Sequence, residues 1–235
     1  MKIPTYFKNL NSMKKIFFLT LLITSFAIQG ACQSNNKQTK AYQKNQNPVL
    51  VDIQDGYKRA YFASGCFWCV EAIYESLKGV QESISGYSGG HTKKPTYEAS
   101  NTGRTGHAEA VEIIYDSTII SFKELVDVYF ASQNITQING QGNDIGSQYR
   151  SIIFYQNEEE KKVINDKITY LNEQLKHGKV AAEVMPFQKF WVAEDYHQNY
   201  EKLHPENSYI QNVSIPRLKR FQKQHPELLK ENVKH

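Results

Sequence analysis

The sequence predicts one α+β domain with a mixed sheet, and three observations carry that prediction. From about residue 58 onward, strand-like and helix-like stretches alternate. No unit repeats along the chain, which argues against solenoids and propellers. The 235 residues are 40% hydrophobic and 22% charged, ordinary globular composition with enough apolar content for one sizeable core. The formal net charge of +4 is small and spread out, so no nucleic-acid partner is expected.

Arg59–Ala63 reads as a short buried strand rich in aromatics. Val70, Ile73, Tyr74 and Leu77 then fall at helical spacing, and Gly79 is placed to end that helix. Val80–Tyr87 alternates as a strand, a polar loop runs from Thr92 to Gly106, and Ala108–Asp116 is the next strand. Ser121 and Glu124 make a capping box in front of an apolar stripe of Leu125, Val128 and Tyr129. Gln133–Gln148 is a long loop with glycines, a length that inside a domain usually signals function. Arg150–Tyr155 is a strand, and Asn157 caps a long helix with Ile164, Ile168, Leu171 and Leu175 inward and Gly178 at its end. Val180–Val184 reads as a short strand, Glu194–Tyr200 as a short helical segment and Pro216–Lys230 as a basic helix.

The chemistry concentrates in Ser64-Gly65-Cys66-Phe67-Trp68-Cys69-Val70-Glu71, where a strand turns into a helix. Gly65 allows the tight turn. A thiol at a helix N-terminus feels the positive end of the macrodipole, and free N–H groups there can receive its charge, so Cys66 is expected to be a reactive thiolate. Cys69 falls on the same side of the first turn, close enough for a disulfide with modest adjustment. Two other readings stand beside this one. Free cysteines are often plain core residues. A zinc site is the second, but it needs four N or S ligands, and no second Cys-x-x-Cys or His-x-x-His occurs.

Residues 1–32 read as a signal peptide. Lys14 and Lys15 precede an apolar run over residues 16–28, too short for a comfortable membrane span, and Gly30-Ala31-Cys32 follows. Met13-Lys14-Lys15 is a more usual opening than residues 1–12. Gly-Ala-Cys after such a run resembles a bacterial lipobox, which makes Cys32 the expected lipid-carrying residue, although Gln29 departs from the usual aliphatic residue. The alternative is an ordinary secreted protein with an incidental cysteine. Residues 33–57 are drawn as a polar tether and 58–235 as the folded domain. The expected location is the bacterial cell envelope, exported and anchored to the membrane by lipid, where cysteines need a dedicated reductant.

Several separated stretches carry a family resemblance: Gly65-Cys66-Phe67-Trp68, Gly86-Tyr87-Ser88-Gly89-Gly90, Pro95-Thr96-Tyr97, Thr105-Gly106-His107-Ala108-Glu109, the run from Gly142 through Asp144 and Tyr149 to Ser151, and Ala193-Glu194-Asp195-Tyr196-His197-Gln198-Asn199-Tyr200. In this order they resemble peptide methionine sulfoxide reductase A over about residues 58–220. The resemblance implies a two-layer α/β sandwich with a mixed sheet and a ferredoxin-like core. It implies a monomer with no bound cofactor and no metal, reducing S-epimer methionine sulfoxide in peptides and proteins with electrons from an external thioredoxin-like dithiol.

Under that resemblance Cys66 is the nucleophile and Glu109 the acid, a carboxyl kept neutral by an apolar pocket. Tyr97 and Tyr149 join Glu109 around the sulfoxide oxygen, and Phe67 and Trp68 hold the methyl group. Asp144, Tyr196 and His197 are implied as further pocket residues. Each has a plainer reading: Glu109 on a solvent face, as Glu112 is expected to be; the tyrosines as packing, two among 15; Asp144 as a turn residue; His107 as a loop residue bonded to backbone rather than a metal ligand. Many relatives carry a C-terminal resolving cysteine, but Ser208–Val213 contains none, and the family chemistry then points to a Cys66–Cys69 disulfide. Cys69 as a passenger on the helix is the alternative. Gln133-Asn134-Ile135-Thr136 stands where the family commonly has His-Asp-Pro-Thr, so loop shape and substrate preference are open to change. Two rival functions remain at this point, a general thiol–disulfide oxidoreductase and an anchored binding module with structural cysteines.

Overall fold

The computed structural model describes residues 46–231, all within one compact unit, Lys44–His235. Six strands make one mixed sheet: β1 (Lys58–Ala63), β2 (Val80–Ser88), β3 (Ala108–Tyr115), β6 (Ile152–Tyr155), β7 (Glu183–Pro186) and β8 (Phe190–Val192), in the order β7-β6-β1-β3-β2-β8. β4 (Gly140–Gln141) and β5 (Asp144–Ile145) pair separately as a small hairpin. All pairings in the large sheet are antiparallel except β6 with β7. That parallel pair needs a long crossover, supplied by helix α4 (Glu158–Gln174). The predicted α+β domain with a mixed sheet is what the chain forms.

Strand parity sorts side chains to two faces. Phe62, Val111, Ile113, Tyr115, Ile153 and Tyr155 face a core shared with α1 (Phe67–Glu75), α3 (Phe122–Ala131), α4 and α6 (Ile215–Gln224). Tyr61, Ala63, Ala108, Ala110, Ile152 and Phe154 face the other way, under Met185 and Phe187. Tyr61 stacks on Phe187 with ring centroids 3.8 Å apart. The segment drawn as tether is already docked near this face: Asn47 accepts from Gln188, Val49 N–H donates to Phe187 and Val51 N–H to Gln156. The signal sequence and Cys32 lie outside the described residues.

The capping box at Ser121 and the Asn157 cap form as expected. Other boundaries differ for local reasons. Inside the loop 92–106, Thr96 caps a five-residue helix, α2 (Tyr97–Asn101). The strand expected at 180–184 is shifted to β7, where it pairs with β6. α4 stops at Gln174, before the predicted Leu175. The segment 194–200 splits into a 3₁₀ turn (Asp195–His197) and the start of α5 (Tyr200–Leu203). The C-terminal helix begins from a π-helical turn (Ile210–Ser214) and ends at Gln224, with Pro226 opening a 3₁₀ turn beyond it. None of the helices among the described residues is long and apolar enough to cross a membrane.

Candidate active site

Cys66 sits where β1 hands over to α1, at the N-cap. Gly65 has φ +78°, and a Cβ there would lie 2.7 Å from Gln141 Cβ, so glycine is required on both counts. Glu109 lies on β3 with the parity of Val111 and Ile113, which turns it beneath the start of α1 and buries it. Its Oε2 accepts the Phe67 N–H at 3.0 Å. Glu109 is therefore not on a solvent face. Neither is Glu112: only 15% exposed, it accepts from the Tyr61 hydroxyl at 2.7 Å and meets Arg59 at 3.6 Å, contrary to the sequence expectation.

The Phe67 bond changes the reading of Cys66. The first amide of α1 is engaged by Glu109 instead of waiting for a thiolate, and the Cys66 side chain makes no capping bond. Burial pushes the Cys66 thiol well up, and the neighbouring Cys69 and Glu109 add to this. The expected thiolate at Cys66 is thus corrected: the resting group is a thiol. Its neighbour Cys69 goes the other way, downward. The Cys66 thiol donating to it is the main cause, with the Arg217 charge, Ser214 and Tyr209 assisting against burial. Both cysteines are free and buried.

Burial raises the Glu109 carboxyl to about 8, with Asp144 and Cys69 adding repulsion and the Phe67 N–H opposing, so the acid is mostly protonated at pH 7. Tyr97 and Tyr149 are also pushed up, first by burial and then by Glu109 and Cys66, which places both phenols, neutral, within the field of these two groups. Tyr97 is held by its backbone N–H donating to Glu194 Oε1 at 3.0 Å, while Tyr87 donates to Oε2 of the same carboxylate at 2.9 Å. Phe67 forms the middle of an aromatic wall, 4.9 Å from His197, 5.8 Å from Tyr87, 6.1 Å from Trp68 and 6.3 Å from Tyr97 between centroids. Trp68 stacks on Tyr200 at 3.9 Å.

Trp68 Nε1–H donates to His197 Nδ1 at 3.2 Å, and burial lowers the imidazole's pKa, so the ring is neutral with its proton on Nε2. That Nε2 is buried without a hydrogen-bond partner among the described residues, 3.9 Å from Glu194 Oε2. Tyr196 rests its ring on His197 at 4.1 Å but is 55% exposed, at the rim. Asp144, on β5, accepts from the Tyr209 hydroxyl at 2.6 Å, and the same hydroxyl lies 3.7 Å from Cys69 Sγ. His107 is the backbone-bonded loop residue: Nε2 meets Thr92 O at 2.8 Å and Nδ1 accepts from Gly90 N–H at 3.1 Å. Gln133 Oε1 accepts from Ser64, Gln141 and Ser151, which ties the departing loop 133–148 to the Gly65 turn.

Phe67, Trp68, Tyr97, Tyr196 and His197 thus share one ring cluster, Glu109 meets the amide next to Cys66, and Asp144 meets the Cys69 side through Tyr209. Missed were Tyr209, Arg217 and the anchoring role of Glu194. Glu194 stood inside a recognised stretch, while the other two carry no motif. Among the described residues no group of three or more His, Cys, Asp or Glu side chains could hold a metal ion.

A buried thiol pair beside a neutral carboxyl and an aromatic wall belongs to enzymes that do two-electron chemistry at sulfur. The family model described as peptide methionine sulfoxide reductase matches residues 58–229. A Pasteurella multocida peptide methionine sulfoxide reductase is 48% identical over 160 residues, 68% of this chain and 91% of the relative. One from Saccharolobus solfataricus is 45% identical over 171 residues, 73% and 96% of the two chains. The solved methionine sulfoxide reductase A of Corynebacterium diphtheriae superposes with TM-score 0.58 at 31% identity, over 70% of this chain and 88% of that one. The chain belongs to the peptide methionine sulfoxide reductase family.

Proposed function

We propose that the protein reduces S-epimer methionine sulfoxide, in peptides and proteins and as the free amino acid, through Cys66. The observation that carries this reading is the buried, largely protonated Glu109 bonded to the amide of the residue next to Cys66. A sulfoxide oxygen becomes a leaving group only when protonated, whereas thiol–disulfide exchange has no oxygen to protonate.

Phe67 and Trp68 receive the methyl group, and Tyr97, Tyr149 and Glu109 surround the oxygen; Asp144, Tyr196 and His197 complete the pocket. The Cys66 sulfur attacks the sulfoxide sulfur while Glu109 protonates the oxygen, and the Cys66 proton, made acidic by the attack, passes to the Cys69 thiolate and on to solvent. The oxygen ends on Cys66, so thiol plus sulfoxide gives sulfenic acid plus methionine: the substrate sulfur gains two electrons and Cys66 loses two. Cys69 then attacks the sulfenic sulfur, releasing water and forming the Cys66–Cys69 disulfide. An external dithiol of the thioredoxin type reopens it by exchange and leaves as a disulfide.

The strand order also supports a two-layer, ferredoxin-like core, with β6-β1-β3-β2 as the four central strands and α1 and α3 as their connecting helices. The Gly30-Ala31-Cys32 signal supports export and lipid anchoring at Cys32 in a bacterial envelope, with residues 58–235 acting as a monomeric catalytic domain. The test is thiol counting on protein beginning near Gln33, with methionine sulfoxide and no reductant. One methionine formed with two thiols lost is expected, and Cys66→Ser should form none. Wild-type protein that forms no methionine would return the cysteine pair to the oxidoreductase or structural readings.

A further inference from the structure

The turn that carries Cys66 contains one soft joint. Gly65 stands directly before the nucleophile at φ +78°, a conformation glycine enters freely, and the Cys66 side chain makes no capping bond to the helix. Where the sulfur sits is therefore decided by how the backbone is held on either side of it. After Cys66, the Phe67 N–H is held by Glu109 at 3.0 Å. Before it, the holder is Arg217, which lies 153 residues beyond Ser64. Its Nη1 donates to the Ser64 carbonyl at 3.0 Å, its Nη2 to the Ser64 hydroxyl at 3.0 Å and its Nε to the Ser132 carbonyl at 2.8 Å. A Cβ on Gly65 would lie 3.6 Å from Nη1, so the guanidinium rests against the joint itself.

Arg217 is placed for this turn rather than for charge balance. Arg59 and Arg150, also largely covered, each meet a carboxylate at 3.6 Å. Arg217 is 8% exposed and pairs with no carboxylate among the described residues; its partners are two carbonyls and a hydroxyl. Ser132 is the C-cap of α3, so its carbonyl is one of those a helix end leaves open, at the negative end of the dipole. The Ser64 hydroxyl passes the contact on, donating to Gln133 Oε1 at 2.8 Å, at the start of the loop that carries Asp144. Tyr129 of α3 closes the same join by donating to the Ala63 carbonyl at 2.9 Å. On α6, Arg217 shares its buried face with Leu218 and Phe221, just after Pro216 and the π-helical turn.

We propose that Arg217 is a positioning residue for oxygen transfer, its guanidinium fork fixing the Ser64-Gly65-Cys66 turn to the end of α3. The inference rests on the proposed reductase reading and deepens it. Three charge-assisted bonds leave one planar group, so the turn and α3 cannot shift apart without breaking at least one of them. Attack on the sulfoxide sulfur needs Cys66 in line while the oxygen stays with Glu109, and a misplacement of about 1 Å costs about 10²-fold in rate. The rings that receive the substrate are held by other contacts. Glu194 accepts from the Tyr97 N–H, and Trp68 leans on Tyr200 and donates to His197. Loss of the fork therefore displaces the nucleophile and leaves substrate binding in place.

Arg217→Lys tests the fork while keeping a cation, since an ammonium cannot reproduce the planar geometry that joins Ser64 to Ser132. The full reduced chain is mixed with a range of methionine sulfoxide concentrations, without reductant, and the first methionine formed is timed. The readouts are the saturating rate per folded molecule and the half-saturating concentration, with a melting curve taken alongside. Arg217→Lys is expected to lower the saturating rate by about 10²-fold and leave half-saturation unchanged. Ser64→Ala removes only the shared hydroxyl, which keeps the test decisive if Arg217→Lys does not fold. Its rate should fall about fivefold, the equivalent of one net hydrogen bond, again at unchanged half-saturation. A wild-type saturating rate in folded Arg217→Lys would overturn the proposal, as would one in Ser64→Ala where the lysine variant does not fold. A change confined to melting temperature or half-saturation would overturn it too, leaving Arg217 a stabilising or binding residue. Wild-type protein that forms no methionine would instead fail the reductase reading itself.

Discussion

Cys66 and Cys69 stand one helical turn apart, yet the fold gives them opposite surroundings. Cys66 faces a neutral acid and aromatic rings, and burial holds it as a thiol. Cys69 faces Arg217, Ser214 and Tyr209, and ionises more easily. The macrodipole cannot explain the difference, because it acts on both and more strongly on the first. What decides is tertiary: Glu109 occupies the amide that would have served Cys66, and the cation lies behind Cys69. A thiol that ionises only when substrate arrives is protected from idle oxidation, whereas its partner is ready to close the disulfide.

The sharpest way to break this contrast is Glu109→Gln, which keeps an oxygen to accept the Phe67 N–H but removes the acid. Methionine formation should drop by about 10²- to 10⁴-fold, the range for positioned acid catalysis. The falling limb expected of wild type above about pH 8 should vanish with it. Single-turnover methionine release against pH measures both. A variant that retains the wild-type rate and limb would move the acid elsewhere.

Stability offers a second test, of intermediate size. Burial raises Glu71 and Glu201 to about 7 and Glu109 to about 8 from the ordinary value of 4.5. A raised carboxyl gives stability that is fully present below about pH 4.5 and is lost as pH climbs through 7 to 8. Each group contributes at most about 1.4 kcal/mol per pH unit inside its window. Glu71 accepts from Ser85 and from the Asn199 N–H, away from the sulfoxide pocket. Glu71→Gln should therefore flatten the decline in melting temperature between pH 5 and 7 while the slope due to Glu109 persists to 8. Parallel curves for wild type and variant would mean that Glu71 is ionised throughout.

The two sides of the helix also differ in how far the sequence discloses them. The Cys66 side is written in short motifs: Gly65 needs its positive φ, Glu109 is fixed by strand parity, and Tyr97, Asp144 and Tyr149 stand in recognisable runs. The Cys69 side is not. Tyr209 lies 140 residues further along the chain than Cys69, in a stretch whose sequence offered only the lack of a cysteine, just ahead of a π-helical turn that no periodicity predicts. Short elements were lost for a related reason. β8 has three residues and α2 five, too few to show a period, although the Thr96 cap was a usable signal for α2.

The smallest predicted effect tests where the border between the two surroundings runs. The Tyr209 hydroxyl lies between them, 3.7 Å from Cys69 and 2.6 Å from Asp144. Its proton rests with the shorter contact and can turn to the sulfur when Cys69 ionises, which is how this hydroxyl favours the thiolate. Tyr209→Phe keeps the ring that packs edge-on against Trp68 and removes only these bonds. A net hydrogen bond of about 1 kcal/mol corresponds to about fivefold in rate, and that loss should fall on disulfide closure. Methionine formation should change less, since Asp144 acts on Glu109 only through its charge. If methionine formation slows as much as closure in the same sample, Tyr209 belongs to the Cys66 pocket, and the two cysteines share more of their surroundings than the electrostatics of the helix turn imply.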